Sequence, residues 1–210
     1  MILLGIHDGH NCGASLFHDG KLLIAINEEK ITRKKNEYGF PKKSIIFCLK
    51  KLKLKKQDIS YVAVSTKNLP PKYFITKRNT TFTIDDYIKE QNLYWFPKIY
   101  EKRKINYLKI FKKNRVSKTE LFYNLNKIRN EDDFVGMRNA RLKGISNFLK
   151  ISKNKIFFFD HHKCHAYYGF FASYFSHKDK VAIVTADGGG DQANGSIWIH
   201  YRNKLKNVYK

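Results

Sequence analysis

The chain opens Ile2-Leu3-Leu4-Gly5-Ile6-His7-Asp8-Gly9-His10-Asn11-Cys12-Gly13-Ala14-Ser15-Leu16-Phe17-His18, and the reading of this stretch decides the fold. Residues 2–6 form a short apolar run that predicts a buried strand. Residues 14–18, the dipeptide Asp19-Gly20 and residues 21–26 predict a second strand, a turn and a third. The connection between the first two strands, residues 7–13, is glycine-rich, so its backbone amides can approach a ligand closely.

Working outward, Pro41 suits the first turn of a helix whose apolar positions Ile45, Ile46, Leu49 and Leu52 recur at helical spacing, with Lys42, Lys43, Lys50 and Lys51 on the wet side. Residues 59–65 predict another strand, and strand, helix, strand is the pattern of an α/β core. From 68 to 138 the pattern changes to Pro70-Pro71 and then basic stretches with scattered aromatics, which we read as a mostly helical insertion. The core resumes with a helix over 139–149, a strand over 155–159, a helix over 161–175 and strands over 181–185 and 196–201. The division expected is 1–67 for the first part of the core, 68–138 for the insertion and 139–210 for the remainder of the first subdomain and the start of a second. A core that ends on a strand with no covering helix reads as incomplete at its carboxy terminus.

With 210 residues, 42% of them hydrophobic and 15% aromatic, the chain can bury a core and is no disordered tail. Its formal charge of +23 raises nucleic acid as a partner. Eight arginines stand against 33 lysines, however, and the lysines are dispersed rather than clustered. Base reading and phosphate clamping favour the bidentate guanidinium, so we expect a solvated basic surface and no nucleic-acid partner. Cys12, Cys48 and Cys164 are an odd number without repeated spacing, which argues against a disulfide framework and for a reducing, cytoplasmic setting. The apolar start is too short for a signal sequence, and no run long enough to span a membrane is present.

Three motifs carry chemistry. Asp160-His161-His162-Lys163-Cys164-His165 begins the helix after a strand; residues four apart share a face, so His161 and His165 can meet one metal ion while His162 faces elsewhere. The alternative is a histidine pair behind an Asp160 cap. In Thr185-Ala186-Asp187-Gly188-Gly189-Gly190-Asp191, an aspartate at a strand end is followed by three glycines. The Asp187 carboxylate can hold a cation while the amides of Gly188, Gly189 and Gly190 meet a phosphate; the alternative is a hairpin whose glycines serve only its turn. In the opening loop, Asp8 and His10 suit proton abstraction from a hydroxyl, and Arg33 and Lys35 suit an anionic group, with a solvated charged turn as the alternative. Cys164 lies among these groups without a separate base and is given no role.

In these residues the sequence resembles the carbamoyltransferase family that includes the nodulation-factor and antibiotic O-carbamoyltransferases. The resemblance rests on Gly5 with Gly9-His10-Asn11 and Ala14-Ser15; on Glu28, Glu29, Arg33 and Lys35 followed by Gly39-Phe40-Pro41; on His161-His162-Lys163-Cys164-His165-Ala166; and on the Asp187 to Asp191 hairpin, in that order. Lys30 stands where the family usually has arginine, and Asn27 where it often has a third glutamate.

The resemblance implies an actin-like ATPase (ASKHA, ribonuclease H-like) core joined, beyond Lys210, to a YrdC-like domain. That domain makes carbamoyl adenylate from carbamoyl phosphate and ATP, and the amino-terminal domain passes the carbamoyl group to a small-molecule or sugar hydroxyl. By position, His161, His165 and Asp187 would hold iron or another divalent metal. Lys35 and the Asp187 hairpin would face the adenylate, and Asp8 and His10 the acceptor. A threonylcarbamoyl transferase acting on tRNA and a non-catalytic nucleotide- or metal-binding fragment are the alternatives. With only three of the expected ligands, little independent activity is expected of the 210 residues.

Overall fold

The computed structural model describes residues 1–76 and 78–210, and of Asn79 and Thr80 the backbone alone. The fold is mixed α/β. Its main sheet runs in the order β3-β2-β1-β4-β5, with β1 at Ile2–His7, β2 at Gly13–His18, β3 at Lys21–Asn27, β4 at Ile59–Ser65 and β5 at Ile156–Phe159. β1 pairs antiparallel with β2 and parallel with β4, and β4 pairs parallel with β5. Asp19 and Gly20 both take positive φ, 46° and 81°, the geometry of a two-residue hairpin turn between twisted strands.

A short helix α1 (Glu29–Thr32) leads to α2 (Lys42–Lys51). Ser44, Ile45, Cys48 and Leu49 face the sheet, while Ile46, expected inside, is exposed because it lies about 100° around the helix from Ile45. Buried Glu28 accepts the Lys43 amide at 2.9 Å and the Ser44 amide and hydroxyl at 2.6 and 2.7 Å, so a carboxylate sits on the positive end of α2.

Between β4 and the next core helix come α3 (Pro71–Thr76), α4 (Arg78–Thr81), α5 (Ile84–Glu90), a π-helical turn (Gln91–Trp95), α6 (Phe96–Ile99) and α7 (Tyr107–Ile110). They enclose a small core of Tyr94, Tyr107 and Phe111. Inside it, Arg78 donates through Nε and Nη2 to fully buried Glu90, which also accepts the Tyr107 hydroxyl at 2.8 Å.

The helix expected over 139–149 starts earlier, as α8 (Phe134–Leu149). Asp133 caps it by accepting the Gly136 amide, and Gly136 in the first turn obscures the helical signal. Met137, Ile145 and Leu149 of α8 join Ile45 and Leu49 of α2 over Leu4, Leu16, Val62 and Val64, forming the main core. Helix α9 (His161–Phe171) ends four residues before the expected 175, and Ser173 caps a separate 3₁₀ turn.

A second sheet follows, β6 (Lys180–Gly190), β7 (Ala193–Tyr201) and β8 (Lys204–Tyr209), antiparallel in that order. The strand expected to end at Thr185 continues to Gly190, with a bulge at 187–189 between the pairs Ala186↔Gly195 and Gly190↔Ala193. β8 was not foreseen. Its turn is Arg202-Asn203, both at positive φ, a pair without the glycine that usually announces such a hairpin. Among the described residues, no helix is long and apolar enough to cross a membrane.

Candidate metal and transfer site

The first turn of α9 faces the β6 bulge. Asp160 accepts the Lys163 amide at 3.0 Å and so caps the helix, which puts His161 and His165 one above the other. The bulge turns Asp187 toward them. His161 Nε2 lies 2.5 Å from Asp187 Oδ2, His165 Nε2 lies 3.0 Å from His161 Nε2 and 3.3 Å from the same carboxylate oxygen.

Three such atoms hold this arrangement only with protons or a cation between them. Ligands on bonds of about 2.1 Å stand about 3.0 Å apart at right angles and about 3.4 Å apart at tetrahedral angles. Two sides of the triangle already match, and the third must open by about 0.5 Å. Two imidazoles and a carboxylate fit iron, zinc or manganese, and the half-exposed His165 leaves further positions reachable from solvent.

The surroundings fix two members of the triad, His161 and Asp187. The Thr66 hydroxyl is 2.9 Å from His161 Nδ1, the nitrogen that faces away from the triad. His162, fully buried, contacts the Thr185 hydroxyl at 2.8 Å and the Ala193 carbonyl at 3.0 Å, tying α9 to the second sheet. Gly190 is required by close approach: a methyl group there would lie 2.2 Å from the His161 ring. Asp187 Oδ1 accepts the Gly188 amide at 2.6 Å, and the Asn194 side chain donates to the Gly188 carbonyl at 2.8 Å.

The opening loop is divided between inside and outside. Asp8 is fully buried: its Oδ2 accepts from the Tyr123 hydroxyl at 2.6 Å and Arg141 Nε at 2.7 Å, and its Oδ1 from Arg141 at 2.6 Å. His10 is exposed at the surface of the loop. Partial desolvation by the loop around it, with the charge of nearby Arg78, keeps its pKa below the ordinary histidine value, while Asn36 and Asp187 act on it in the opposite sense. Lys35 is largely exposed and pairs with Glu29 at 3.3 Å. Gly188 and Gly189 are exposed on the bulge, and Gly190 is pressed against His161. Burial pushes the Cys164 thiol up to about 11, which suits the absence of a nucleophilic role.

The motifs missed Thr66, Tyr123 and Arg141, and gave Asp191 no role. Asp191 is buried and accepts the amides of Lys67, Asn68 and His161 at 2.9, 2.5 and 2.6 Å. Its position ending the three-glycine run is a signal that was present. The other three had none, because their contacts cross more than 90 positions.

A family model described as "Carbamoyltransferase N-terminus" matches residues 2–209. A Methanocaldococcus jannaschii protein described as uncharacterized is 48% identical over 63 residues, covering 30% of this chain and 12% of its own length. A Synechocystis protein, described likewise, is 24% identical over 199 residues, covering 93% of this chain and 26% of its own length. The chain thus spans about a quarter or less of these relatives.

Proposed function

The chain belongs to the carbamoyltransferase amino-terminal family, and on that premise we propose that it forms the acceptor-side part of an O-carbamoyltransferase. In this reading a carbamoyl group passes from carbamoyl adenylate, made from carbamoyl phosphate and ATP, to a hydroxyl of a small molecule or sugar. The observation that carries the proposal is the convergence of His161, His165 and Asp187 beside the glycine bulge. The sheet order β3-β2-β1-β4-β5, with β2 alone reversed against its neighbours, supports an actin-like core with an insertion that begins at 68 and ends at 133, before α8, rather than at 138. The greater length of the relatives supports a separate adenylate-forming domain.

His10 is assigned as the base: held neutral, it accepts the proton of the acceptor hydroxyl as that oxygen bonds to the carbamoyl carbon and AMP departs. Buried Asp8 is reassigned to holding Arg141 and Tyr123 beneath the loop. The Gly189 amide, with Lys35, faces the departing phosphate, the Gly188 amide being held by Asp187 Oδ1. A divalent ion held by His161, His165 and Asp187 would supply positive charge against that phosphate. The buried free thiols of Cys12 and Cys48 suit the reducing cytoplasm.

The test is incubation of the full-length protein carrying this chain with labelled carbamoyl phosphate, ATP and panels of sugar, aminoglycoside and tRNA acceptors. Label on a sugar or small-molecule hydroxyl, lost in His10→Ala, supports the reading. Label on tRNA alone moves the protein to the threonylcarbamoyl class, and none on any acceptor refutes transfer.

A further inference from the structure

Residues 65–68, which leave β4 beneath α9, are gripped from two sides. From below, the fully buried Arg141 guanidinium donates to the carbonyls of Ser65 at 3.4 Å, Thr66 at 2.9 Å and Lys67 at 3.3 Å, while Asp8 neutralises it. From above, Asp191 accepts the amides of Lys67 and Asn68. Between the grips, Thr66 is buried with φ at +68°. A β-branched residue in the left-handed region is an outlier, and such conformations persist where surrounding structure over-determines them. The conformation presents the Thr66 hydroxyl to His161 Nδ1 at 2.9 Å.

We propose that Thr66 is a positioning residue for the metal-binding histidine, which rests on the metal reading of the triad given above. An imidazole binds a metal through the nitrogen that carries no proton, and a hydrogen-bond partner on its other nitrogen orients the ring. With an ion at Nε2 the ring proton is on Nδ1, and the Thr66 hydroxyl, by accepting it, holds the ring with Nε2 directed at Asp187 and His165. Arg141 and Asp191 act through Thr66, holding it in a conformation it would not adopt alone. Asp191 also binds the His161 amide, so one carboxylate sets the loop and the head of α9 together. The ligand is a divalent first-row metal ion, and what Thr66 contributes is the orientation of the imidazole that holds it rather than a bond.

The test compares the parent chain with Thr66→Val, which keeps the β-branch and loses the hydroxyl, and Thr66→Ser, which keeps the hydroxyl. Co(II) affinity is measured by chelator competition, and exchange of the His161 Nδ1–H with solvent by proton–nitrogen NMR of the Zn(II)-loaded protein. We expect about 10- to 100-fold weaker Co(II) binding in Thr66→Val, near-parental binding in Thr66→Ser, and faster Nδ1–H exchange in the valine variant alone. Parental affinity and unchanged exchange in Thr66→Val overturn the role of Thr66 while leaving the metal site intact. Failure of the parent chain itself to bind Co(II) overturns the metal reading, and the proposal with it.

Discussion

Alanine at position 190 should dismantle the triad without disturbing the strand that carries it. Gly190 is not among the positive-φ glycines, so alanine meets no backbone strain there. The added methyl group meets a ring: it would lie 2.2 Å from His161 Cδ2, 2.3 Å from Cγ and 2.8 Å from Nε2, where ordinary contact begins at 3.4 Å. The imidazole must therefore retreat by about 1.2 Å, more than half of a metal–nitrogen bond of about 2.1 Å. That displacement removes His161 from the ligand set. Co(II) or Zn(II) affinity, measured by chelator competition, should fall at least about 100-fold, with overpacking costing about 1–3 kcal/mol of stability. Gly188→Ala is the control, since a methyl group there meets nothing within 4 Å, and its affinity should match the parent. Binding by Gly190→Ala within threefold of the parent would refute the argument that His161 is seated against Gly190 and serves as a ligand there.

Replacing Arg141 with methionine leaves the Asp8 carboxylate buried and unpaired; urea denaturation should show a loss of about 3–5 kcal/mol, and a second change, Asp8→Leu, should restore part of it. Glu28→Gln weakens the bonds to the Lys43 and Ser44 amides and should cost about 1–3 kcal/mol in the same assay, an unchanged midpoint being evidence that α2 does not depend on that anion. His7, whose pKa burial holds below 6.5, binds a proton less readily folded than unfolded, so its contribution is whole above pH 6.5 and is lost as pH falls below it. Urea midpoints taken from pH 8 to pH 5 with chelator present should fall more steeply for the parent than for His7→Gln, whereas parallel curves would remove His7 as the cause.

Local pattern was enough for β1, β2 and β3 and for placing His161 and His165 on one face of α9. The apolar run 2–6, the Asp19-Gly20 turn and the four-residue spacing of the histidines are each read locally. What failed is what local pattern does not contain. Nothing near Asp8 in sequence says that Arg141 will bury its carboxylate, so a residue suited to base chemistry is found inside an ion pair. The glycines at 188–190 look like a loop but lie in a bulged strand, because register with β7 is set by residues beyond them. The β8 hairpin was hidden by a turn made of two side-chain-bearing residues at positive φ.

The clamp around residues 65–68 also bears on the order of folding. Asp8 and Arg141 are 133 positions apart, Lys67 and Asp191 are 124 apart, and Thr66 and His161 are 95 apart. Loops this long close only after nearer contacts have lowered their entropic cost, so the clamp belongs late on the pathway, after β1, β2 and β3 have paired. Substitutions within it should hasten unfolding far more than they slow folding. A metal ion held over the finished clamp, as proposed above, would govern the lifetime of the native chain rather than the speed with which it forms.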